Sequence, residues 1–200
     1  MLSIVRSDLY RMATIRSSRI SLAIFTVLSL LIGWVNIDGW GLLATMGAFG
    51  LAAVLVAQHH QHRTAVLLYL ATPRRVAVLT GQVIAAAVVA TGFVAVSGLT
   101  VLAKGEVDRY QQLLTVAPVI ATFGAAGAAV VRRSTWLFLG CAGWFIVVEG
   151  LIARLAAPLP FSTFLSAGSG DPRSLLIASV WAALAFVAAA VAVGRDLTGD

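Results

Sequence analysis

Residues 76–103, VAVLTGQVIAAAVVATGFVAVSGLTVLA, hold no charged side chain. A helix needs about 20 mostly apolar residues to cross roughly 30 Å of hydrocarbon, so this stretch exceeds the requirement. With Thr91, Gly92, Ser97 and Gly98 in its second half, it should tilt, project beyond the bilayer or bend. Five further apolar runs flank it, over residues 20–37, 40–57, 113–131, 136–152 and 174–194. The expectation is an all-α membrane protein whose six transmembrane helices form one domain over residues 20–194.

Composition supports that reading: 60% of the 200 residues are hydrophobic and 11% charged, which leaves no stretch for a separate soluble domain. The net charge of +6 comes from basic residues strung along the connections, without a compact basic face interleaved with aromatics. Anionic lipid headgroups are therefore the expected partners, and nucleic acid is not. Arg6, Arg11, Arg16, Arg19, Arg63, Arg74, Arg75, Arg132, Arg133 and Arg195 fall on one side of the six spans, against Lys104, Arg109, Arg154 and Arg173 on the other. Cytoplasmic loops carry excess Lys and Arg, so both termini are expected inside the cell membrane. The basic region ahead of the first run is too long and polar for a signal peptide and no A-x-A site comes after it, so the first span is expected to be retained. Cys141, the single cysteine, lies inside an apolar run and reads as a small buried hydrophobe.

The connections carry the remaining information. Over residues 1–19, Leu2, Val5, Leu9, Met12 and Ala13 share one helical face, which predicts an amphipathic helix on the cytoplasmic surface; a basic tail is the alternative. Residues 58–75, QHHQHRTAVLLYLATPRR, form the longest cytoplasmic connection, with a short apolar helix predicted over 64–71 and ended by Pro73. Such a helix either passes force from a soluble partner to the spans or lies on lipid. Residues 104–112, KGEVDRYQQ, read as a solvated outer loop, and 195–200 as a cytoplasmic tail. Residues 155–170 carry no charge, yet Pro158 and Pro160 interrupt them and the remainder after Pro160 is too short to span. A re-entrant or interfacial segment packed against protein at the outer mouth is expected. Small residues recur four apart at Ala44, Ala48 and Ala52, at Gly81 and Ala85, and at Ala121, Ala125 and Ala129, a spacing that lets helices approach closely in lipid.

Few residues are suited to catalysis. His59, His60 and His62 cluster in the cytoplasmic loop, and His59 and His62 can share a helical face as metal ligands; a solvated polar stretch is the other reading. The spans contain serines but no histidine to act as their base. Glu149 lies toward the outer end of the fifth span, where it either reaches the headgroups or pairs with Arg154, or else serves a substrate path or proton relay. A phosphate-binding loop needs a lysine after glycine, and Lys104 comes after Ala103, so ATP is not expected to bind this chain that way.

The order of these features resembles the permease subunits of type-2 ATP-binding cassette (ABC) exporters: a basic amphipathic N-terminal helix, a hairpin, a cytoplasmic loop ending LATPRR, and a third span opening VAVLTGQVIAAAVVA. Thr64, the helix over 65–71, Pro73, Arg74 and Arg75 match the loop of that family. Gln58 and the HHQH run stand where the family commonly has an acidic residue, and Gln82 where a basic one often comes after the glycine of the third span. The resemblance implies a non-enzymatic half-transporter that pairs with a second permease subunit, alike or different. It also implies a separate ATPase subunit that holds ATP and Mg, contacted through Thr64, Leu67, Leu68, Leu70, Arg74 and Arg75. The segment with Pro158, Pro160 and Phe161, beside Glu149, corresponds to an outer gate. Trp34, Phe49, Trp144 and Phe145 are candidates to touch a lipophilic or amphipathic substrate moved outward. A scaffold subunit that moves nothing, and a lipid-modifying enzyme built around Glu149 and an unseen partner, are the rival readings.

Overall fold

A computed structural model of the chain describes residues 5–7, 9–10, 14, 16–61 and 75–195. Among them every regular element is helical: α1 Arg16–Val35, α2 Ile37–Gln61, α3 Arg75–Ser97, α4 Leu99–Ala103, α5 Val107–Val131, α6 Ser134–Gly143, α7 Pro160–Gly168 and α8 Pro172–Arg195. A π-helical segment, Trp144–Ile152, continues α6. Five helical stretches are long and apolar enough to cross a membrane: Ile37–Gln58, Arg75–Ala103, Val107–Val131, Ser134–Ile152 and Pro172–Arg195. α1 contributes a shorter apolar helix, Leu22–Val35. The helix predicted over 1–19 is described only in part, and the helix predicted over 64–71 and the tail from 196 lie outside the described residues.

Three boundaries differ from the sequence expectation, each for a local reason. The first hairpin turns on Asn36, whose side-chain oxygen accepts the N–H groups of Asp38 and Gly39 at 2.9 and 3.2 Å. That cap satisfies free donors of α2 and lets it begin at Ile37 instead of Trp40. The long third run breaks at Gly98 into α3 and α4. A Cβ at Gly98 would lie 2.6 Å from the Tyr110 ring and 2.7 Å from the Trp40 ring, so two aromatics rest against bare backbone there. The supposed loop over 104–112 is mostly helix, since α5 starts at Val107. Its first turns are tied back to the bundle: Arg109 pairs with Asp38 at 3.3 Å, and the Tyr110 hydroxyl donates to the Ala95 carbonyl at 3.2 Å.

The centre of the bundle is the seam between α2 and α5, flanked by α3 and α8. Ala44, Ala48 and Ala52 of α2, Ala85 of α3, and Ala121, Ala125 and Ala129 of α5 are all fully buried. Lipid tails are as apolar as leucine, so helices in a bilayer associate through close packing and hydrogen bonds, and alanine ridges supply the closeness. Gly124 is the tightest point of the seam, where an added Cβ would stand 2.7 Å from the Phe49 carbonyl oxygen. The stretch Ser134–Ile152, α6 with its π-helical half, which the sequence marks as a fifth span, sits at the margin and turns Trp136, Leu139 and Leu151 outward.

The end of the bundle that carries Lys104 also carries Asn36, the 153–159 connection and α7. There Lys104 reaches the Trp34 carbonyl, and its ammonium stands 5.9 Å from the centroid of the Trp34 ring. Asp171, at the turn into α8, accepts the N–H groups of Arg173 and Ser174 at 3.2 and 3.1 Å. The Ser174 hydroxyl foremost, then those N–H groups and the Arg173 charge, hold the Asp171 carboxyl below its ordinary pKa.

Candidate functional site

α7 is nine residues long and deeply packed, with Pro160, Phe161, Ser162, Thr163, Phe164, Ala167 and Gly168 buried. Its N-terminus poses an accounting problem, because a buried helix start must place its free N–H groups. Leu159 occupies the cap position and has no side-chain acceptor. Pro160, the first helical residue, has no N–H, and the N–H of Thr163 reaches the Leu159 carbonyl at 2.9 Å. The two remaining donors, Phe161 N–H and Ser162 N–H, go to Glu149 Oε1 and Oε2 at 3.1 and 2.6 Å. The Ser162 hydroxyl completes the turn by accepting the Leu159 N–H at 3.2 Å. A carboxylate from the fifth span therefore caps α7, with the favourable dipole at a helix N-terminus adding to the bonds.

This corrects the expectation for Glu149. Its side chain is fully buried and bonded to α7, so it does not extend into the surroundings of the bundle, and Arg154 is exposed and is not its partner. The π-helical turn makes the placement possible. Residues five apart in an α-helix are rotated by about 140° from one another at 3.6 residues per turn, whereas i→i+5 hydrogen bonding brings them onto one face. Trp144 and Glu149 are such a pair, and the Trp144 indole N–H donates to Glu149 Oε1 at 3.0 Å. All three bonds use Glu149 as an acceptor, and each removes a lone pair from an otherwise costly burial.

Beside this cap lies a cavity of about 680 Å³. α2 forms one wall from Leu43 to Gln58, a rise of roughly 22 Å at about 1.5 Å per residue. Phe138, Cys141, Ala142, Phe145 and Ile146 of the fifth span face it, Phe25 of α1 flanks it, and Phe161 of α7 completes it. Among the described residues, the lining contains no charged side chain. Five of the nine phenylalanines in the chain converge here, so the aromatic content is concentrated and not merely scattered through the spans. Phe161 joins the walls: its ring centroid is 5.5 Å from that of Phe49 and 5.6 Å from that of Phe145, both edge-on. Edge-to-face aromatic pairs contribute about 0.5–1.5 kcal/mol beyond their buried area.

The structure brings together Glu149, Pro160 and Phe161 of the expected gate. Pro158 stays apart and exposed, with its carbonyl accepting the Trp181 indole N–H at 3.2 Å. Of the aromatics singled out for substrate, Phe49 and Phe145 line the cavity, Trp144 serves Glu149, and Trp34 stands at the Lys104 end. Thr64, Leu67, Leu68, Leu70 and Arg74 lie outside the described residues, and Arg75 is the first residue of α3. Gln82 is buried on α3. His62 also lies outside the described residues, as do the side chains of His59 and His60. Sequence reasoning missed Phe25, Met46, Phe138 and Cys141 as cavity residues. A signal was present in the fifth span, where Phe138, Cys141 and Phe145 recur at i, i+3 and i+7 on one helical face. No protein-family model matches the chain, and no curated protein matches it.

Proposed function

We propose that this chain is the permease subunit of an ATP-driven exporter of a lipophilic or amphipathic compound. It would cross the cell membrane six times, with α1 as the first span and both termini in the cytoplasm. The observation that carries the reading is the cavity. Ligand sites commonly occupy about 300–1,000 Å³ and are lined mainly by apolar and aromatic groups, and a volume of about 680 Å³ with five phenylalanines fits that class. A lining without charge among the described residues suits the apolar part of such a compound and disfavours a hydrated ion.

The power source in this reading is a separate ATPase subunit that holds ATP and Mg. It docks on the helix expected over 64–71, with Thr64, Leu67, Leu68 and Leu70 in contact and Arg74 and Arg75 steadying it at the membrane surface. A second permease subunit covers the open face of the fifth span, and Glu149, Pro158, Pro160 and Phe161 belong to the gate away from the ATPase. ATP-driven closure of the ATPase pair shifts the spans between two packings. The test is isolation of the native assembly in mild detergent. An ATPase subunit bound in stoichiometric amount, with hydrolysis lost on changing Leu67, Leu68 and Leu70 to Asp, is the expected result. Recovery of the chain with partners that hydrolyse no ATP makes it a scaffold and ends the transport reading.

A further inference from the structure

The π-helical half of the fifth span is attached to the bundle in a different way from the half before it. α6, the first half, packs against both α2 and α5. The second half, Trp144–Ile152, packs chiefly against α7, and its side chains at Ile146, Val147, Leu151 and Ile152 are exposed. At that contact the polar bonds all run through one side chain. Glu149 binds the N–H groups of Phe161 and Ser162 across the gap and the Trp144 indole within its own segment. α7 is anchored independently, since it packs broadly on α8 and α5 and its Phe164 ring lies 5.3 Å from that of Phe123.

We infer that Glu149 is a latch, and that the π-helical half of the fifth span is a flap it holds against α7 at one edge of the cavity. Phe145 and Ile146 of this segment form part of the cavity wall, and Phe161 lies opposite them on α7. Releasing the carboxylate from the two α7 donors frees the flap to swing away from α2 while α7 stays seated. The cavity, already open at the surface where Phe25 and Ile146 are exposed, then widens and bares the wall around Cys141. The wide π turn serves this device because it aligns Trp144 with Glu149. The inference rests on the geometry of the cavity and holds whether or not ATP drives any movement.

Cys141 supplies the reporter, as the only cysteine and a residue of the cavity wall. The full chain is reconstituted in lipid vesicles, and the rate of Cys141 alkylation by N-ethylmaleimide is measured alongside the thermal unfolding midpoint. Glu149→Ala is expected to raise the labelling rate by about tenfold or more, as loss of hydrogen bonds to a buried charged group implies. Glu149→Gln, which turns an acceptor into a donor facing N–H groups, should give a smaller rise. Trp144→Phe, which removes one donor and keeps the carboxylate, should give the smallest. A control carries Ala86→Cys with Cys141→Ser, placing the thiol at a fully buried position of α3. In that background Glu149→Gln must leave labelling slow, which separates a local opening from general loosening. If Glu149→Ala fails to fold, the graded pair Glu149→Gln and Trp144→Phe decides. Unchanged Cys141 labelling in variants that stay folded overturns the latch. Labelling that rises equally at position 86 overturns it as well, because Glu149 would then stabilise the whole fold and not a flap.

Discussion

In the apolar window of α2, 67% of the residues are buried, whereas in that of the fifth span, Ser134–Ile152, 11% are. Apolar content does not separate the two, since both are long enough and apolar enough to cross a membrane. The difference lies in shape. α2 presents Ala44, Ala48 and Ala52 to the alanines of α5, so the two backbones come close along the seam. The Ser134–Ile152 stretch presents Trp136, Leu139 and Leu151 to the outside, and a Cβ added at its Gly140 or Gly143 would meet nothing within 4 Å. In lipid an apolar side chain gains little by choosing protein over hydrocarbon, so fit decides which face packs. One helix is thereby locked into the bundle, and the other is held at a few points beside a cavity.

The largest test of this contrast is removal of a ring from each helix. Phe49→Ala deletes a buried side chain that meets Phe123, Phe138 and Phe161. It should lower the unfolding free energy in detergent by about 3–5 kcal/mol, as for other buried Phe→Ala changes. Trp136→Ala, at a side chain 62% exposed, should stay within about 0.5 kcal/mol of the parent. Equal losses from the two would break the comparison.

A smaller effect is expected from filling glycines. Gly124→Leu forces atoms into the Phe49 backbone and should cost about 1–3 kcal/mol by the same unfolding measurement. Gly140→Leu points into open space and should be within about 0.5 kcal/mol of neutral. A large loss at Gly140 would mean that the outer face of the fifth span is already packed against something in the isolated protein.

The smallest effect belongs to a turn that owes little to packing. Asp171 is exposed and its folded pKa is lowered, so the unfolded chain, at about 3.9, holds the proton more tightly than the folded one. Its contribution is complete above the unfolded value and is lost as the pH falls through the folded value. The difference in melting temperature between the parent and Asp171→Asn should therefore shrink as the pH is lowered from 6 toward about 3. A gap that widens on acidification would show that Asp171 is not the group being titrated.

Several features were legible without coordinates. The apolar runs marked the long helices, because their lengths are dictated by hydrocarbon thickness and their residues by its polarity. The alanine spacing marked the seam, since a four-residue repeat stacks on one face of a helix. Local chemistry already blurred the boundaries. Asn36 set a helix start by capping, which hydropathy does not register, and residues 107–112 look solvated in sequence while Arg109 and Tyr110 reach back to distant partners. The cavity was half visible, as Phe49 and Phe145 were singled out while Phe25 and Phe138 were not. Phenylalanines that line a hollow and phenylalanines that fill a core read the same in a string.

What the sequence determined by itself was the material of the protein: helices of membrane length, a small-residue repeat to pack them, and a carboxylate placed where it needed a reason. These come from composition and spacing, which act locally along the chain. The tertiary structure alone decided what Glu149 is for. Its partners are the N–H groups of residues 161 and 162, more than ten positions away, and a π turn had to rotate the side chain inward to reach them. Hydrogen bonds to a backbone depend on where that backbone is folded and not on which residue types it carries, so no pattern in the letters could announce them.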